Sequence, residues 1–216
     1  MSRVIKYRIG LNNSDEVFDF SLHQIVKGLA ANRITISFFK PIVAISIYDK
    51  FLINKINPTV IDPCAGFGGR LLGFKSKFPN GTYIGIEPNK ETFNELELLV
   101  KNSGFNNVKL YNCKAEDYRG TFDCDMTFTS IPYYDIETYS DNIVGNDYSD
   151  KENWYNVFVN SLFNFKNLVL NVPKEIGDKL IVDKKIEDKD IYYLANNITH
   201  FNKNRDKKHE YIINFR

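Results

Sequence analysis

The sequence predicts an α/β domain built on a mostly parallel sheet of seven strands, with a C-terminal antiparallel hairpin and a helical N-terminal cap. Two observations predict it. From about residue 57 onward, short apolar runs alternate with runs at helical spacing, the pattern that puts helices on both faces of a parallel sheet. The chain then closes on two β-rich runs, Ile191-Tyr192-Tyr193-Leu194 and Tyr211-Ile212-Ile213, that read as a hairpin. Such a hairpin on a mostly parallel sheet is a common mixed arrangement.

Element by element, Thr59-Val60-Ile61 is a strand ending at Asp62, and Arg70 to Lys75 starts a helix after a glycine-rich turn. Tyr83-Ile84-Gly85-Ile86 is a second strand, ending at Glu87. Phe93, Leu96, Leu99 and Val100 fall at helical spacing, and Ser103-Gly104 stops that helix. Val108-Lys109-Leu110-Tyr111 is a third strand and Asp125 to Thr129 a fourth. Trp154, Val157, Phe158 and Leu162 form a helical stripe, read as core, ahead of the strand Leu168-Val169-Leu170. Residues 1–56 carry short helices over Ser21 to Ala31 and Pro41 to Phe51. No glycine- or proline-rich linker separates them from residues 57–216, so they read as a cap on one domain.

The 216 residues suffice for one domain with a full core and a small appendage. With 28 Lys and Arg against 27 Asp and Glu, no whole-molecule field attracts a polyanion, so any nucleic-acid contact must come from local clusters. Cys64, Cys113 and Cys124 have no C-x-x-C spacing, which argues against a disulfide framework and a zinc site and fits a reducing compartment. His23, His200 and His209 are scattered, and no metal is expected. Met1 to Gly10 lacks the apolar core of a signal peptide, and no stretch approaches a membrane span. The expectation is a soluble, intracellular protein, cytoplasmic or inside a host cell if viral in origin.

Three strand ends in succession carry groups suited to a ligand, on the sheet edge where open α/β folds bind. Asp62-Pro63-Cys64-Ala65-Gly66-Phe67-Gly68-Gly69-Arg70 follows the first strand and opens a helix. Its glycines let the backbone approach a ligand, and the helix start offers unpaired N–H groups. It matches neither the G-x-G-x-x-G of dinucleotide folds nor the Gly-Lys-Ser/Thr ending of a P-loop. Glu87 is placed to take both hydroxyls of a ribose, and Glu116-Asp117, after the third strand, to meet an adenine amino group. At the fourth strand end, Ser130-Ile131-Pro132-Tyr133 is a small polar residue followed by a proline and an aromatic. Such a corner can grip a flat ring bearing an exocyclic amine and present that amine to an electrophile. Pro63-Cys64 has the residue pair used in cytosine C5 methylation, but it lies after the first strand, so Cys64 reads as a small buried residue.

Asp62 to Arg70 resembles the S-adenosylmethionine-binding motif of class I methyltransferases. Ser130-Ile131-Pro132-Tyr133 resembles the Asp/Asn/Ser-Pro-Pro-Tyr/Phe motif of DNA amino-methyltransferases, which modify N6 of adenine or N4 of cytosine. Thr129 before it and Tyr134-Asp135 after it strengthen the likeness to the serine-type version. Ser37-Phe38-Phe39-Lys40-Pro41 resembles the family's short motif that packs on the methionine end of the cofactor, and the order of the motifs also fits.

The resemblance implies a Rossmann-like class I methyltransferase fold, with S-adenosyl-L-methionine as cofactor and S-adenosyl-L-homocysteine as product. It implies cofactor contacts from Phe39, Lys40 and Pro41, and from Asp62, Cys64, Ala65, Gly66, Phe67 and Gly68 of the turn. Glu87 would take the ribose, and Glu116 or Asp117 the adenine. Ser130 Oγ and the Ile131 carbonyl would accept the two amine hydrogens, Pro132 would keep residue 131 extended, and Tyr133 would stack on a base flipped from its duplex. Ile131 stands where the pattern has its first proline. The carbonyl survives, but the fixed φ and the missing N–H do not, so a functional, slower site is expected.

The implied acceptor is a base in DNA, N4 of cytosine or N6 of adenine, with serine tilting toward cytosine. RNA, a protein side-chain amide, and a non-catalytic partner subunit stay open. Lys203, Arg205, Lys207 and Lys208, beside His209, are candidate phosphate contacts, and Arg3, Lys6 and Arg8 weaker ones. Asp135 to Lys151 reads as a long loop that closes over substrate. No stretch leaves room for a sizeable recognition domain. Target recognition is expected from the cap, that loop and the basic hairpin, from a homodimer, or from a separate subunit. No membrane partner is expected.

Overall fold

The chain is seen in a computed structural model that describes residues 39–132, 134, 148–187, 190–194 and 210–215. All of these fall in one compact unit, Phe38–Arg216. The expected helix over Ser21 to Ala31 lies outside the described residues. The elements run α1 (Pro41–Phe51), β1 (Thr59–Asp62), α2 (Gly69–Lys77), β2 (Thr82–Ile86), α3 (Lys90–Ser103), β3 (Val108–Tyr111) and β4 (Met126–Ser130). Then come α4 (Lys151–Trp154), β5 (Leu168–Pro173), α5 (Lys174–Lys184), β6 (Ile191–Leu194) and β7 (Glu210–Phe215).

Local chemistry sets the helix ends. Pro41 opens α1, where its missing N–H would have had no partner. The Asn89 side chain caps α3 by accepting from Glu91 N at 2.9 Å and Thr92 N at 3.0 Å. Gly104, at φ 64°, ends the same helix in the left-handed conformation.

The seven strands pair in the order β3-β2-β1-β4-β5-β7-β6. Every pair from β3 to β5 is parallel, and β7 runs antiparallel to both β5 and β6. Alternate residues serve opposite faces. Val60, Tyr83, Met126, Phe128, Val169 and Ile212 pack with Tyr48 of α1, Leu71 and Phe74 of α2, and Leu96 of α3. Ile61, Ile84, Leu168, Leu170 and Ile213 pack on the other face with Trp154, Phe158 and Leu162 and with Leu180 of α5. Both faces are therefore covered, as a parallel sheet requires. No helix among the described residues is long and apolar enough to cross a membrane.

Three local differences from the sequence expectation have physical causes. β4 runs one residue further, through Ser130, because Ser130 still pairs with Asn171 of β5. The stripe from Trp154 to Leu162 is not one regular helix: α4 passes into a π-helical turn over Tyr155–Val159 and a short 3-10 turn over Leu162–Asn164. Helix α5 was not anticipated, since its charged residues obscure a short apolar stripe in which Ile176 and Leu180 are buried.

Candidate active site

The chain builds β1, β2 and β3 outward on one side and then crosses back to place β4 on the other side of β1. The carboxyl ends of β1 and β4 thus flank the point where strand order reverses, the usual ligand crevice of an open α/β sheet. The glycine turn leaves one of these ends and the Ser130 corner the other. Thr129 joins them. Its Oγ1 donates to Asp62 Oδ1 at 2.8 Å and accepts from the Cys64 amide at 3.1 Å.

Asp62 is completely buried, and both of its oxygens are taken up by the chain. Oδ2 accepts from Arg70 Nε at 2.7 Å and from the Tyr83 hydroxyl. Oδ1 accepts from Thr129 and, at 3.3 Å, from the Cys64 amide. Arg70 also donates to the Cys64 carbonyl. This geometry gives Asp62 the job of shaping the turn from beneath. Cys64 is held in the same knot, where burial and then the Asp62 charge push its thiol pKa well up. Such a thiol is inert as a nucleophile.

The two left-handed glycines of the turn do different work. Gly66, at φ 53°, is uncrowded among the described residues: a Cβ built there meets only the Cys64 carbonyl of these, at 4.0 Å. Gly68, at φ 80°, is squeezed, and its Cβ would fall 2.8 Å from side-chain carbons of both Leu96 and Leu99. Between them Phe67 is an exposed aromatic. The Ala65 amide donates to the Ile86 carbonyl at 2.8 Å, which ties the turn to the end of β2. Glu87 follows at once. Its Oε2 accepts from the Gly66 amide at 3.0 Å and its Oε1 from the Asn89 amide at 2.9 Å. Burial raises the Glu87 pKa above the ordinary glutamate value, with the two amide donors opposing.

After β3, Glu116 and Asp117 lie in the short 3-10 turn Ala115–Asp117. Glu116 Oε1 accepts from the Tyr148 hydroxyl, while Asp117 is exposed. On the other side, the Phe39 ring meets Phe128 edge-on at 5.5 Å and lies 5.4 Å from the Arg70 guanidinium. The exposed Lys40 caps α1 through its carbonyl, which accepts from the Val43 and Ala44 amides.

At the fourth strand end, Ser130 is half-buried and its Oγ accepts from Asn171 Nδ2 at 3.1 Å. The Ile131 side chain is 2% exposed, packed in the cluster that holds Trp154 and Phe158. Its amide donates to the Asn171 carbonyl at 3.2 Å. The N–H that a proline would lack is therefore used. Pro132 is half-buried. Tyr133, most of the loop from Asp135, and the basic residues Lys203, Arg205, Lys207 and Lys208 lie outside the described residues.

Asn171 and Tyr148 are site residues that sequence reasoning missed. Asn171 had a visible signal, a polar residue inside the apolar run from Leu168 to Val172. Tyr148 had none, since its partner Glu116 is 32 residues away in sequence.

No protein-family model matches the sequence, and no curated protein matches it. Solved structures share its fold. A provisionally assigned class I S-adenosylmethionine-dependent methyltransferase from Listeria monocytogenes superposes with a TM-score of 0.59 and 15% identity, over 91% of this chain and 68% of that one. An S-adenosylmethionine-dependent O-methyltransferase from Thermotoga maritima gives 0.54 at 11% identity, over 87% and 69%. A provisionally assigned methyltransferase from Escherichia coli gives 0.50 at 13% identity, over 84% and 88%. The chain has the Rossmann-like methyltransferase fold expected from its sequence, including the antiparallel C-terminal hairpin.

Proposed function

We propose that this chain transfers a methyl group from S-adenosylmethionine to the exocyclic amino group of a base in DNA, N4 of cytosine or N6 of adenine. The observation that carries the proposal is the Thr129 link. It ties the glycine turn to the strand end that bears two candidate amine acceptors, Ser130 Oγ and the Ile131 carbonyl.

The residues along the sheet edge fit the cofactor. Gly66 leaves open a space that any side chain would fill. Glu87 would take the ribose hydroxyls and Glu116 the adenine amine. Both carboxylates now accept from the chain itself, so these bonds would be shared or replaced on binding. When bound, the cofactor supplies an electrophilic methyl group, taken by direct displacement without a covalent enzyme intermediate.

The chain's own contribution is to orient the amine. Two acceptors on its hydrogens turn the nitrogen lone pair toward the electrophile. Pro132 favours an extended residue 131, and the burial and amide bond of Ile131 hold it there. Tyr133 supplies the stacking face for the flipped base.

The test compares Tyr133→Ala with the wild type in methyl transfer to DNA and in cofactor binding by calorimetry. A lost stacking contact of about 1–3 kcal/mol should lower kcat/KM about 5- to 150-fold, with cofactor affinity within about twofold. Equal loss of both would count against the stacking role.

A further inference from the structure

We propose that Asn171 is the positioning residue that presents both amine acceptors of the Ser130-Ile131 corner, an inference that rests on the methyl-transfer proposal above. The parallel register pairs Ser130 with Asn171, so the two side chains stand next to each other on one face of the sheet. Asn171 is 2% exposed. It acts through Ser130 and Ile131 and does not itself meet a substrate.

Its side chain sets the hydrogen-bonding sense of Ser130. Asn171 Nδ2 donates to Ser130 Oγ at 3.1 Å and to Glu210 Oε2, on β7, also at 3.1 Å. A carboxylate only accepts, so Glu210 selects the nitrogen end of the amide, and that same nitrogen reaches Ser130. A serine hydroxyl has two lone pairs and one rotating proton. With one lone pair filled by Asn171, the proton is turned away from the amide, and no other described residue takes the second lone pair, which is left for an amine hydrogen. Ser130 is held as an acceptor.

The main chain of Asn171 holds the second acceptor. Its carbonyl takes the Ile131 amide at 3.2 Å and so carries the β4–β5 ladder one residue past the end of β4. A proline at 131 has a locked φ and no such bond. Isoleucine forgoes the lock, and the bond to Asn171, with the buried side chain, anchors the residue whose carbonyl faces the amine.

Asn171 also carries a cost. Its Oδ1 is buried with no hydrogen-bond partner among the described residues, a penalty of about 1–3 kcal/mol. Turning the amide over would let Oδ1 accept from Ser130 but would set it against the Glu210 carboxylate. A leucine would remove the penalty altogether. The amide is explained by what its nitrogen holds.

The full chain tests this with methylation-free plasmid DNA as acceptor and a labelled methyl donor. Asn171→Leu should lower kcat about 10- to 100-fold, with KM for DNA and cofactor affinity within about twofold. Adding Asn171→Leu to Ser130→Ala should cost less than about threefold more, because the side chain acts through Ser130. Asn171→Asp removes the donor at constant shape and should regain activity as pH falls and the introduced acid becomes a donor. It decides the matter if Asn171→Leu does not fold. Full activity in both variants, or parallel loss of cofactor affinity and kcat, overturns the role of Asn171 alone. A wild type inert on DNA overturns the methyl-transfer proposal and this one with it.

Discussion

Glu87 shows how one buried residue links the fold to the proposed chemistry. It is 8% exposed, and its two oxygens rest on the amides of Gly66 and Asn89. Burial lifts its pKa above the ordinary value. A raised folded-state pKa contributes stability that is present at low pH and lost as pH rises through the folded value. The fold therefore bears a cost for ionised Glu87. Ribose hydroxyls donate to the carboxylate form, so binding should be strongest where Glu87 is ionised. Calorimetry over a descending pH series should show cofactor affinity falling at a pH above the ordinary glutamate value. Glu87→Gln should abolish that step, and a step surviving in the variant would deny Glu87 the ribose. Ile131 carries the other lesson at this scale. From sequence its substitution for proline is a loss, because only the structure reveals that its extra N–H has a partner on β5.

Among the elements, the join between β1 and α2 rests on a buried ion pair. Asp62 is fully buried and the Arg70 side chain nearly so. Removing one partner of such a pair leaves a desolvated charge and typically costs 3–5 kcal/mol, roughly. Asp62→Ala should therefore lower unfolding stability in urea by about 3–5 kcal/mol, and reduced cofactor affinity should follow from the disordered turn. A variant of unchanged stability that has lost only cofactor affinity would instead make Asp62 a direct ligand contact. The strand and turn elements were legible because their signals are local: apolar runs bounded by glycine, and an acid at each strand end. Helix α5 and the π-helical turn were not. Charges on α5 dilute its period, and the turn at Tyr155–Val159 is a packing outcome within an otherwise helical run.

For the whole molecule, strand order does the assembling. Asp62, Thr129 and Ser130 come from positions up to 68 apart in sequence, and they meet because β4 returns to the flank of β1. The alternating pattern was enough to expect this architecture. It could not reveal cross-strand partners such as Asn171 and Ser130, 41 residues apart, since pairing register is decided by the assembled sheet. With a net charge of +1, the molecule has no global attraction for nucleic acid, so the proposed acceptor choice would rest on local contacts and on the shape of the corner. Labelled methyl transfer to separate DNA, RNA and protein fractions, followed by mass spectrometry of the digested nucleosides, tests the central proposal most directly. The expected result is label in DNA, recovered as N4-methylcytosine or N6-methyladenine and strongly reduced with Ser130→Ala. Label confined to RNA or protein, or no transfer to any fraction, would contradict it.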